Sequence, residues 1–152
     1  MVTHAVLAFF VFLLFSATSL RASPADENDP DLQSIAALQA RIAQAQPREQ
    51  CYLYSELLHQ MTDLSLRQYA AGNTEKANNL LKRIQAIAHQ VHLSIAGKDK
   101  HLKNAEILLR HTAFRLREML HNSSYEDRPL VQETLAQVNQ AEDAAMLQVF
   151  KK

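Results

Sequence analysis

Tryptophan is absent from this chain, and its 152 residues include only two glycines, four prolines and one cysteine. Each shortage excludes something. Sandwiches and barrels of short strands need many turns, which use Gly, Pro and Asn, so their scarcity argues for long helices and few connections. A lone cysteine, Cys51, excludes an internal disulfide and leaves stability to packing. At a helix start its thiol is a candidate for a lowered pKa or an intermolecular bridge, beside the plainer role of a small half-buried apolar side chain. An excess of charge of one sign is lacking too, since sixteen Lys and Arg balance sixteen Asp and Glu. Nucleic-acid binding rests on clustered excess Lys and Arg, so no such partner is expected. Two glycines almost exclude a backbone cradle for phosphate. No apolar run reaches the roughly 17–25 residues that a membrane-spanning helix needs.

What is present begins at the amino terminus. Ala5 to Phe15 is an unbroken apolar run of eleven residues, followed by the small residues Ser16 to Ser19. That layout matches the core of a secretory signal peptide, with Ala17-Thr18-Ser19 or Leu20-Arg21-Ala22 at the cleavage site. His4 and the amino terminus supply the only charge before the run, and an uncleaved membrane anchor is the alternative. The sequence therefore predicts a signal peptide over 1–22, an acidic linker over 23–29 and one domain over 30–152, placed in the periplasm or secreted. Losing Arg21 leaves fifteen basic against sixteen acidic residues.

Asp29-Pro30-Asp31 reads as a helix opening, with Asp29 as N-cap and Pro30 in the first helical position. Leu32, Ile35, Leu38 and Ile42 line one side of this short helix, which runs to about Ala45. Pro47 opens a second helix to Ala71, striped by Tyr54, Leu57, Leu58, Met61, Leu64 and Tyr69. Gly72 stops it in a left-handed cap. Asn73 caps a third helix, in which Ala77, Leu80, Leu81, Ile84, Ile87, Ala88, Val91 and Ile95 form the cleanest amphipathic stripe. Gly97 ends it. A fourth helix covers about Lys98 to His121. Leu102, Ala105, Leu109, Ala113, Leu116 and Leu120 mark one side, and Ile107 and Phe114 the other, so this helix is expected to be central. A last helix, Arg128 to Phe150, turns Leu130, Val131, Thr134, Leu135, Val138, Ala141, Ala145 and Val149 inward. Tight turns at Gly72 and Gly97 predict antiparallel neighbours. The expectation is all-α: an up-down four-helix bundle with an extra short N-terminal helix. Residues 98–121 hold six Lys or Arg against three acids, and residues 123–152 five acids against three bases. Those two helices are expected to be complementary neighbours or solvated.

Two Glu-x-x-His motifs, Glu56/His59 and Glu118/His121, have the spacing that di-iron bundles use on paired helices. Here they fall away from the apolar stripes and at heights differing by roughly 16 Å, so they are expected to face solvent. His89 and His92 form a second pair at metal-ligand spacing, with no Asp, Glu or Cys at helical spacing nearby. A metal- or small-ligand-binding bundle using these histidines, with His111, is the alternative class. The chain lacks the nucleophile elbow, the zinc-protease helix motif and the haem-attachment motif, so no catalytic residue and no cofactor is assigned. Asn122-Ser123-Ser124 is a formal glycosylation sequon.

Tyr69-Ala70-Ala71-Gly72-Asn73-Thr74-Glu75-Lys76-Ala77 resembles the turn of a tetratricopeptide-type helix-turn-helix, in which a Gly-Asn turn precedes an Ala packed tightly between two helices. The helices are too long for that motif's unit of about 34 residues, and no second copy follows. More broadly, Gln50 to Met119, with Q-C-Y-L-Y-S-E-L-L-H-Q-M and L-L-R-H-T-A-F-R-L, resembles exported all-helical bacterial proteins of unassigned function. The resemblance implies an extracytoplasmic bundle and carries no active site. The leading expectation is a non-enzymatic protein acting through protein–protein contacts, with an unknown partner or a homo-oligomer. Ile107, Phe114, Tyr52 and Leu66, which lie off the main stripes, are the candidate contact surface.

Overall fold

The computed structural model describes residues 29–95 and 101–151, which hold five helices and no strand. They are α1 (Pro30–Gln44), α2 (Pro47–Ala70), α3 (Thr74–Ser94), α4 (Leu102–Asn122) and α5 (Arg128–Val149). The expected signal peptide, most of the linker and the Gly97 stop lie outside the described residues. Among those described, no helix is long and apolar enough to cross a membrane.

Local chemistry sets the ends. The Asp29 carboxylate accepts the Asp31 N–H at 2.9 Å, and Pro30 follows, where its missing N–H costs nothing. Ala45 and Gln46 are both extended, Gln46 in the conformation the following Pro47 enforces, and Pro47 opens α2. Gly72 sits at φ +80°, its N–H donating to the Tyr69 carbonyl while that of Asn73 donates to Gln68. These are the two bonds of a Schellman cap. The Asn73 side chain does not cap α3; it donates to the Gln68 side chain at 2.9 Å instead.

Packing gives an order that differs from the chain order. α2 touches α1, α3 and α4; α5 touches α3 and α4; α3 and α4, although consecutive, do not touch. The four longer helices therefore contact one another in a ring ordered α2, α3, α5, α4. His59 meets Thr112 and Asp63 meets Arg115, so α2 and α4 run parallel. Asn78 meets Asp127 and Gln85 meets Thr134, so α3 and α5 run parallel too. The antiparallel pairs are the two hairpins, α2–α3 and α4–α5. The expected antiparallel pairing of α3 with α4 is therefore not found.

The expected central helix also changes. α2, with three neighbours, is the central one; α4 has two, and Phe114 on its outer side is exposed. Leu58 and Met61 of α2 are fully buried with Leu81, Ile84, Leu109, Leu116, Val131 and Val138. So are the hydroxyl residues Ser55, Thr62 and Ser65. Ser55 and Thr62 donate to the carbonyls of Cys51 and Leu58 one turn back, so neither needs a partner from another helix. Ser65 donates instead to the Ala77 carbonyl across the hairpin at 3.1 Å, beside the fully buried Ala77 side chain. Cys51 is fully buried as well, which removes it from solvent reagents.

One polar knot ties the hairpins together. Asp127 receives the Ser124 hydroxyl at 2.7 Å, the Asn78 amide at 2.8 Å and the Tyr69 hydroxyl at 3.3 Å. Tyr69 in turn accepts the Ser124 N–H at 2.8 Å. Residues from α2, α3 and the loop before α5 thus converge on one carboxylate. The Ser124, Asn78 and Tyr69 hydrogen bonds hold its pKa below the usual aspartate value, outweighing burial.

Candidate functional site

On α2, Tyr52, Glu56, His59, Asp63, Leu66 and Ala70 follow at alternating spacings of four and three, which gathers them into one strip of the helix. α1 flanks this strip on one side, through Ser34–Gln60 at 3.1 Å and Asp31–Arg67 at 2.6 Å. α4 flanks it on the other. Asp63 lines two recesses at once. One, of about 180 Å³, lies between α1 and α2 and is edged by Asp31, Ser34 and Arg67. The other, of about 390 Å³, lies between α2 and α4 and is edged by His59, His111, Phe114 and Arg115.

The polar contacts in the larger recess form a chain. Thr112 donates its only hydroxyl proton to the Leu108 carbonyl at 2.8 Å, so toward His59 its oxygen can only accept. The His59 Nδ1, 3.1 Å away, must then carry the proton, which leaves Nε2 facing Asp63 at 3.7 Å. Asp63 also accepts from Arg115 Nε at 3.2 Å, and Arg115 reaches Glu118 at 2.8 Å. The Asp63 hydrogen bond, helped by that of Glu118, holds Arg115 more firmly protonated than usual, outweighing the cost of burial. Two carboxylates thus meet one guanidinium here. The same Thr device recurs at the α3–α5 seam, where Thr134 donates to Leu130 and accepts from Gln85 at 3.0 Å.

Thr112, His59 and Asp63 have the residue types of a nucleophilic triad but not its chemistry. A nucleophile needs an accessible hydroxyl whose proton the imidazole can take. Thr112 is fully buried and its proton is committed to a backbone carbonyl. The 3.7 Å separation of His59 from Asp63 is also beyond hydrogen-bond distance.

The predicted residues fare unequally. His59, expected to face solvent, is half-buried at the α2–α4 seam because Thr112 offers it a partner there. Glu118 joins the same chain through Arg115, whereas His121 is exposed and Glu56 half-buried. Thr112, level with His59, places Glu118 about 9 Å further along α4, so the two Glu-x-x-His motifs stand at different heights. Among the described residues, no three His, Cys, Asp or Glu side chains are placed to share one ion. His89 and His92 are exposed and line a recess of about 250 Å³ with Gln137 and Gln140 of α5.

Of the contact candidates, Phe114 is 57 % exposed. Tyr52 is half-buried and tilts against His101, their ring centres 5.4 Å apart. Leu66 is half-buried beside a recess of about 350 Å³ shared with Tyr69, Ala70, Met119 and Asn122, and Ile107 is half-buried. Sequence reasoning missed Met146, Leu147 and Phe150, all exposed. Their signal was legible, because 100° per residue carries each of them off the Ala141–Ala145–Val149 side. The α4–α5 charges do meet: Glu142 lies near Arg117 and Arg110, yet burial raises its pKa because it outweighs those cations. Comparison with family models, with curated proteins and with solved structures finds no match to this chain.

Proposed function

We propose that the chain is an exported, non-enzymatic helical-bundle protein that works by binding another protein, in the periplasm or after secretion. The observation that carries this reading is Phe114. It is a large aromatic side chain left exposed at the lip of a recess and ringed by His59, Asp63, His111 and Arg115. An aromatic anchor with a charged surround is the usual composition of an interface hot spot. The apolar run Ala5–Phe15 supports the exported address. In this reading the family is one of uncharacterised exported all-helical bacterial proteins.

Affinity capture from the native envelope or medium, comparing the parent with Phe114→Asp, tests the reading. Proteins retained by the parent should be lost with the variant, whose Tm should stay within about 2 °C because the side chain is exposed. Equal capture by both chains refutes it. A second reading, a bundle that holds a metal or small ligand, draws on the paired histidines His59/His111 and His89/His92, each pair sharing one recess. Stoichiometric Fe, Zn or Cu in protein purified without a His-tag would move the conclusion there.

A further inference from the structure

The outer face shared by α4 and α5 carries apolar side chains that the bundle leaves open. Phe150 is 75 % exposed and Met146 39 %. Measured from the buried Ala145, Met146 lies about 100° and Phe150 about 140° round α5, on the flank where Glu142 approaches Arg117 and Arg110 of α4. On α4, Ile107 lies about 160° from the buried Leu109. Ile107 is only half-buried and does not pack against the core. Arg117 reaches Asn139 at 3.4 Å across the antiparallel pair. That register puts Ile107 roughly level with Phe150, and Asp143 between the levels of Arg110 and Arg117.

We propose that this face docks a second copy of the chain about a twofold axis running along the helices. Such an axis lays α4 of one copy over α5 of the other and keeps every residue at its own level. Phe150 and Met146 of each copy then cover Ile107 of the other. Asp143 of each copy falls between Arg110 and Arg117 opposite. The alternative axis, across the helices, would set α4 antiparallel on α4 and bring the exposed cations Lys103, Arg110 and Arg117 of the two copies against one another. Area agrees. Helices of 21 and 22 residues run about 32 Å side by side and present roughly 600 Å² in projection. Side-chain relief brings this near the ~800 Å² per partner of a standard interface. The inference names one partner under the protein-binding reading; Phe114, seven residues along α4 from Ile107, stands at the border between this face and the recess that opens toward α2.

Sedimentation velocity of the full chain over about a hundredfold range of concentration should show a monomer–dimer equilibrium. Phe150→Glu and Asp143→Arg should each weaken it roughly tenfold or more, with helicity and Tm unchanged because both residues are exposed. A mixture of Ile107→Cys and Phe150→Cys chains should form a disulfide-linked dimer under mild oxidation that neither chain forms alone, Cys51 being buried. A monomer at every concentration overturns the proposal, as does a dimer indifferent to both variants. Association that survives Phe150→Glu but vanishes when residues 1–28 are removed assigns it to the amino-terminal apolar run, and overturns the proposal too. Because Phe114 borders both surfaces, loss of captured protein with Phe114→Asp but not with Phe150→Glu assigns capture to the recess, and the dimer is judged on sedimentation alone.

Discussion

Replacing Asp127 by alanine takes away, at one stroke, the Ser124, Asn78 and Tyr69 hydrogen bonds that join the two hairpins. A hydrogen bond to a charged group contributes about 1.5–3 kcal/mol when sheltered. This carboxylate is only half-buried and the three bonds share it, so they do not simply add. We expect a loss of about 2–4 kcal/mol, partly because the Asn78 and Tyr69 donors are left without an acceptor. For a domain of this size that is a fall in Tm of roughly 8–15 °C. Asp127→Asn, which keeps the shape but not the charge, should fall between. The pH dependence has a definite sign. Because the folded pKa is depressed, the stabilisation is complete above the unfolded aspartate value near 4 and is lost as pH drops through the lower folded value. Thermal melts of the parent and Asp127→Asn should therefore differ at pH 7 and draw together as pH falls below the ordinary aspartate value near 4. An alanine variant melting within about 2 °C of the parent, or a gap to Asp127→Asn that ignores pH, would refute the reasoning.

Glu142 carries the opposite sign. Its folded pKa is raised, so stability falls as pH rises from the ordinary glutamate value through the folded one. Glu142→Gln should gain up to about 1 kcal/mol at pH 7 and nothing near pH 4, read from melts at both values. Gly72 at φ +80° has nothing within 4 Å of where a Cβ would stand, so the cost of substitution there is conformational alone. Gly72→Ala should cost about 1–2 kcal/mol and Gly72→Asn clearly less, and equal losses in urea titrations would contradict the Schellman assignment.

The helices themselves were legible. Asp29, Pro30 and Pro47 announce the starts of α1 and α2, and Gly72 the stop, because caps act within a few residues. The α3 stripe was complete: Ala77, Leu80, Leu81, Ile84, Ala88 and Val91 are all buried, with Ile87 and Ile95 at its edges. Neighbour choice was not legible, because a connection's length does not say whether the next helix sits beside its predecessor or diagonally across. The central helix was misplaced for a different reason. Counting apolar side chains credits α4 with Ile107 and Phe114 and gives α2 nothing for Ser55, Thr62 and Ser65, although a hydroxyl bonded to a backbone carbonyl can enter a core. His59 was misread for the same cause, since its partner Thr112 is another such hydroxyl.

Those hydroxyls also bear on how the chain is made. α2 and α3 are local in sequence and can pair early, but α4 and α5, which complete the ring, are synthesised later. At roughly 5–20 residues per second, the first hairpin waits several seconds with an open flank. Ser55 and Thr62 share that flank with His59, and each satisfies itself within its own helix. An unfinished surface edged this way is less adhesive than a row of leucines would be, so the nascent half can wait in water without recruiting the wrong companion.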